Sequence, residues 1–99
     1  MIRGTTPTFV FNLPFDTAEI KSAFITIKSR GVEVEKAVTD CSLSGTTITI
    51  TLTQEETLAL PESNIAGVQL RVLTQSGDAL ASDVFTIKVE EVLKEGVIE

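Results

Sequence analysis

Residues 47–60 read TITITLTQEETLAL, and the change of period inside them decides the fold. From Thr47 to Thr53, Ile48, Ile50 and Leu52 alternate with threonines. A period of two puts the three apolar side chains on one face of a strand and the hydroxyls on the other. At Thr53 the alternation stops. Thr53-Gln54-Glu55-Glu56 has the Ser/Thr-x-x-Glu form of a capping box, in which Thr53 accepts from the Glu56 amide while Glu56 reaches back. The spacing predicts a short helical turn over 54–59, with Leu58 or Leu60 plugging one end of a core. A strand apolar on one side needs a second layer to cover that side.

The same alternation recurs along the chain. Residues 7–13, PTFVFNL, place Phe9, Phe11 and Leu13 on one face and Thr8, Val10 and Asn12 on the other. Pro7 suits the first position of a strand, where a missing N–H matters least, and Pro14 ends it. Residues 15–21, FDTAEIK, fit a single helical turn with Asp16 as N-cap and Glu19 three later. Ala23, Ile25 and Ile27 alternate with Phe24, Thr26 and Lys28. Arg30-Gly31 then marks a tight turn into a strand from Val32 to Val38, with Val32, Val34 and, where the alternation continues, Val38 inward and Glu33 and Glu35 outward, which together predict a β-hairpin. Cys41 and Leu43 belong to a short continuation after a kink near Thr39-Asp40, and Ser44-Gly45 is the next turn. After a loop at Pro61-Glu62-Ser63-Asn64 comes a strand from Gly67 to Thr74, with Val68, Leu70 and Val72 inward. Gln75 to Asp78 is a turn. Residues 79–90 hold the last strand, with Phe85, Ile87 and Val89 inward. Residues 91–99, EVLKEGVIE, have no clear period and read as a tail that frays or orders against a partner.

These segments give six or seven short strands, one helical turn and no βαβ spacing. The expected fold is a single all-β domain over residues 1–99, with its core in 7–90. Its architecture is a two-sheet antiparallel sandwich, immunoglobulin-like but without the Cys…Trp…Cys hallmark of antibody domains. Thr, Val and Ile make up about a third of the chain and favour strands through their stiffness at χ1.

Composition narrows the function. The chain has 99 residues, 8 basic and 14 acidic, with a net charge of −6. The basic residues are scattered, so nucleic acid and anionic lipid are poor partners. The absence of His removes the usual general base and the commonest metal ligand. With no Trp or Tyr, aromatic stacking platforms are not expected either. The single Cys41 cannot form an internal disulfide, which points to synthesis in a reducing cytoplasm. The first residues show no apolar signal region, and no apolar run approaches the ~18 residues of a membrane span. Cys41 has no adjacent cation to lower its pKa and reads as a half-buried strand residue. Asp40, Asp78 and Asp83 match no calcium-loop spacing, Glu55-Glu56 is accounted for by capping, and no His is available to activate Ser82. No enzyme, cofactor or metal is expected.

One group of residues does carry information. Val10, Phe24, Leu73 and Val84 fall on faces that alternation assigns to solvent. Single exposed apolar residues are ordinary, but four on one sheet face would form an association patch.

The chain also has a familiar order of parts. The opening PTFVFNLPFD, the AFITIKSRG strand and turn, Leu52 to Leu60 (LTQEETLAL) with its Leu-Pro exit, and Asp83 to Ile87 (DVFTI) follow one another. Residues 7–89 laid along that order resemble the N-terminal β-sandwich domain of phage baseplate upper proteins and small proteins of Gram-positive prophages. The resemblance implies a non-enzymatic structural protein, made in the cytoplasm and built into a virion, whose partners are other phage proteins or further copies of itself. It implies an accessory or assembly component, because the long C-terminal region of a complete baseplate protein does not follow here. A small-ligand or carbohydrate-binding sandwich is the alternative; a pocket lined by Phe or Asn at one end would favour it.

Overall fold

A computed structural model describes residues 1–62, 64–82 and 84–99. Among them, eight strands form two antiparallel sheets. The first sheet has three strands in the order β1 (Thr8–Asn12), β5 (Thr47–Thr51), β4 (Ser42–Ser44). The second runs β3 (Val32–Ala37), β2 (Ile20–Ser29), β6 (Asn64–Thr74), and then β7 (Ala79–Ala81) and β8 (Phe85–Val89) share the far side of β6. Because β7 pairs with Arg71–Leu73 and β8 with Asn64–Val68, the two fill one sheet position. Among the described residues the sandwich thus has seven strand positions, within the six or seven that the alternation predicts, and β7 and β8 share the last one.

The alternation in the sequence becomes the core. Ile25 and Ile27 of β2, Ala66 and Val68 of β6, and Ile48 and Ile50 of β5 are at most 2% exposed, as is Leu52, just after β5. Their outward neighbours Lys28, Arg71 and Thr51 are exposed. Burying an Ile or Leu side chain stabilises by roughly 1.5–3 kcal/mol, so this row is the main source of stability. Leu60 closes one end at 0% exposure, and Leu58 is half-buried. The hairpin β2–β3 turns on Arg30 and Gly31 at φ 46° and 80°, the left-handed pair that a two-residue turn requires.

Two local readings are corrected. The strand expected from Gly67 begins at Asn64, because residues 64–68 are claimed by the non-local partner β8. The loop placed over Pro61–Asn64 therefore ends earlier; its Ser63 lies outside the described residues. Phe85 points between the sheets, as expected, but is 40% exposed. It sits on β8, which pairs with β6 along one side, so packing against Phe9 and Phe11 covers the ring only in part.

The helix α1 (Gln54–Ala59) starts with the capping box: Glu56 N donates to Thr53 Oγ1 at 3.2 Å and Thr53 N to Glu56 Oε1 at 2.8 Å. Lys36 of β3 adds a contact that the local sequence does not announce, its Nζ lying 2.8 Å from Glu56 Oε2. Partial burial alone would raise the Glu56 pKa. The Lys36 ammonium and the Thr53 amide outweigh burial and hold the carboxyl below its ordinary 4.5. On acidification the unfolded chain therefore takes up this proton first. The stabilisation is complete above the ordinary value and is lost as pH falls through the lower folded-state value. Urea midpoints measured from pH 7 down to strongly acid conditions should decline more steeply for the wild type than for Glu56→Gln. Equal slopes would show that Glu56 contributes nothing to the acid sensitivity.

Candidate functional site

The four residues of the expected patch do not share one face. Val10 lies on the outer face of the three-stranded sheet and is 57% exposed. Phe24 and Leu73 lie on the outer face of the other sheet, where Phe24 pairs with Arg71 and Leu73 with Ser22. These two line a shallow hollow with Ser22, Arg71 and Ala79. Val84 follows the interruption after β7, and its Cγ1 comes within 3.2 Å of where a Cβ on Gly67 would stand. Gly67 is opposite Lys28, four residues along β2 from Phe24, or about 13 Å away. The structure brings Phe24 and Leu73 together and leaves Val10 and Val84 apart. Alternation tells which face of its own strand a residue occupies, not which sheet that strand joins.

The polar candidates are absorbed locally. Asp40 Oδ2 accepts from the Ala37 amide at 3.1 Å, and Asp78 Oδ2 from Ser76 Oγ at 3.2 Å. Asp83 lies outside the described residues. Ser82 Oγ accepts from the Leu70 amide at 2.9 Å. Cys41 Sγ donates to the Ala37 carbonyl at 3.3 Å. Burial and the Asp40 charge push its thiol pKa up, against a smaller opposing pull from Lys36, so it stays protonated and weakly nucleophilic. No helix among the described residues is long and apolar enough to cross a membrane.

The strand edges hold a feature that alternation did not identify. A strand edge presents unpaired N–H and C=O groups and usually carries some protection. The open edge of β3 carries Glu33, Glu35 and Lys36. β4 is three residues long. The β7–β8 edge is interrupted, and its end is covered by the N-terminal residues: Arg3 N donates to Glu90 O at 3.1 Å, Glu90 N to Met1 O at 2.7 Å, and the Met1 ammonium to Lys88 O at 2.9 Å.

β1 has none of these protections. Only β5 pairs with it among the described residues, and no charged residue lies between Arg3 and Asp16. The direction of its free groups follows from two bonds. Leu13 N donates to Thr46 O at 2.7 Å, and Leu52 N donates to Pro7 O at 3.0 Å. Odd-numbered residues of β1 thus bond inward to β5. Antiparallel ladders alternate, so the N–H and C=O groups of Thr8, Val10 and Asn12 point outward from the edge.

Beside this edge the sandwich is open. Phe85 bridges the two sheets, its ring centroid 6.4 Å from Phe9 and 5.9 Å from Phe11, both tilted. Further along, Phe11, Leu13, Pro14 and Phe15 face Leu70, Val72 and Leu80 across a groove of about 340 Å³, with Asn12 and Ser82 among its polar lining. Leu80 is 45% exposed there. The signal for this region was the run of uncharged residues between Arg3 and Asp16, set off by Pro7 and Pro14. That such a run lies at a sheet edge depends on the pairing of β1 with β5, 39 residues apart at Val10 and Thr49. Comparison with known protein families, characterised proteins and solved structures returns no match.

Proposed function

We propose that this chain is a non-enzymatic interaction protein that joins an assembly through the free edge of β1. The observation that carries this reading is that edge itself. It has three residues with outward backbone groups, no charge along its length, and an apolar seam alongside it. Natural sheets protect such edges unless something pairs with them. Main-chain hydrogen bonds to an added strand supply affinity, and the Phe9, Phe11 and Phe85 cluster supplies apolar contact. The setting comes from the resemblance alone: a tail or baseplate-associated component of a phage or prophage particle, with neighbouring phage proteins or further copies as partners. Such a role calls for cytoplasmic synthesis followed by incorporation into a virion.

The test is an NMR titration with a synthetic peptide spanning residues 7–13. Its binding should shift the amides of Thr8, Val10 and Asn12 while leaving β3 unchanged. No response up to millimolar peptide, or a response centred on β3, would overturn the edge reading.

The groove favours a second reading, as a small-ligand module. It is apolar, lies within the usual range of ligand-site volumes, and includes Phe11, Asn12 and Phe15 in its lining. Decanol in place of the peptide would then move the amides of Leu70, Val72 and Leu80 instead. Failure of decanol to do so would remove this second reading.

A further inference from the structure

We infer that the occupant of the β1 edge is β1 of a second copy, paired antiparallel about a two-fold axis at Val10. The inference rests on the edge reading above and specifies the partner.

The segment is self-complementary. Read in either direction from Val10, TFVFN gives a phenylalanine, then a small polar residue. Placing Val10 opposite the partner's Val10 sets Thr8 opposite the partner's Asn12, and Phe9 opposite the partner's Phe11. In this register even-numbered residues face even-numbered residues. Those are the residues whose N–H and C=O groups point outward. Three facing pairs, 8 with 12, 10 with 10 and 12 with 8, could each exchange both hydrogen bonds. A shift by one residue would set outward groups against inward ones. A shift by two would keep one phenylalanine pair instead of two, Phe11 against the partner's Phe11 or Phe9 against the partner's Phe9.

Packing and charge agree with the same register. Aromatic cross-strand pairs are favourable, and these would extend the Phe9–Phe85–Phe11 cluster of each copy across the axis. Each copy carries a net charge of −6, so copies repel except where the contact is free of charge, and the Gly4–Phe15 stretch is. The prolines limit the contact. Pro7 is odd-numbered, so its missing N–H falls on the β5 side and costs the dimer nothing. Pro14 is even-numbered and denies the edge a further donor. A two-fold contact of this kind uses up both β1 edges and closes as a dimer. The two three-stranded sheets would become one of six, in the order β4-β5-β1-β1-β5-β4. The contact is short, so the association should be weak and visible only at high concentration.

Sedimentation equilibrium of the full chain, from micromolar to millimolar, tests this. The average mass should climb from 10.6 kDa toward twice that value. Val10→Pro removes an N–H that the chain itself does not use and should weaken association about tenfold or more, through the two bonds lost at the axis. Val10→Lys keeps every backbone donor on an exposed position, sets two like charges opposite each other, and should weaken association similarly. It serves should the proline variant misfold. Val10→Thr should associate as the wild type does. A wild type that stays at 10.6 kDa, or a Lys variant that associates undiminished, would overturn the self-pairing. A monomeric wild type whose β1 amides still respond to the 7–13 peptide overturns the self-pairing and leaves the edge reading standing. A chain that neither dimerises nor responds overturns both.

Discussion

Truncating Ile50 to alanine should destabilise the protein by roughly 2–5 kcal/mol, a large share of the ~5–15 kcal/mol typical of a domain. Ile50 is 1% exposed and sits on β5, the central strand of the three-stranded sheet. It is paired with Phe9 and belongs to the same packed cluster as Ile25, Ile27 and Val68. Removing three carbons leaves a cavity between two sheets whose backbones are held by their own ladders and cannot close over it. Urea unfolding should show a lower midpoint with an unchanged slope. Thr49→Ala, next door on the opposite face, should stay within about 0.5 kcal/mol of wild type. A loss below ~1 kcal/mol for Ile50→Ala would mean that the sheets do not press together at β5.

Arg3→Ala should cost about 3 kcal/mol, through groups that no local pattern connects. The Arg3 side chain is only 14% exposed. Its Nε donates to Leu60 O at 2.9 Å and its Nη2 to Leu58 O at 2.7 Å, two carbonyls at the end of α1 that the helix itself cannot satisfy. Nη1 lies 2.8 Å from Glu95 and 3.7 Å from Glu62. Those carboxylates are largely exposed and add little. The backbone bonds carry most of the effect, because hydrogen bonds to a charged donor are worth about 1.5–3 kcal/mol each. The same segment is fixed beneath by Thr57, fully buried, whose Oγ1 accepts from Gly4 N and donates to Thr5 O, both at 2.9 Å. Arg3→Lys should recover part of the loss, since an ammonium keeps the charge but not the planar fork that reaches two carbonyls at once. The readout is the shift in unfolding midpoint together with amide exchange at Met1–Arg3 and Glu90. A midpoint unchanged by Arg3→Ala would show that the N-terminal segment is not a structural strap.

The tail also depends on such distant contacts. Residues 91–99 have no regular period, yet Ile98 N donates to Gln54 Oε1 at 2.8 Å and Gln54 Nε2 donates to Ile98 O at 3.1 Å. Glu95 meets Arg3. Order in this segment comes from single side chains on α1 and the N-terminus, so a search for alternation could not find it.

Local spacing in the sequence determined which residues face inward, where the chain turns and where α1 starts. Ile48, Ile50 and Leu52, the Arg30-Gly31 turn and the Thr53–Glu56 box all depend on neighbours within four residues, and backbone geometry fixes such relations wherever the segment ends up. Only the tertiary structure decided which strands are neighbours: that β8 claims Asn64–Val68, that Val10 and Phe24 belong to different sheets, and that among the described residues β1 pairs with β5 alone. Those outcomes depend on contacts between residues far apart in the chain. Many strand orders bury the same apolar faces, so the alternation that specifies a sandwich does not specify its edges.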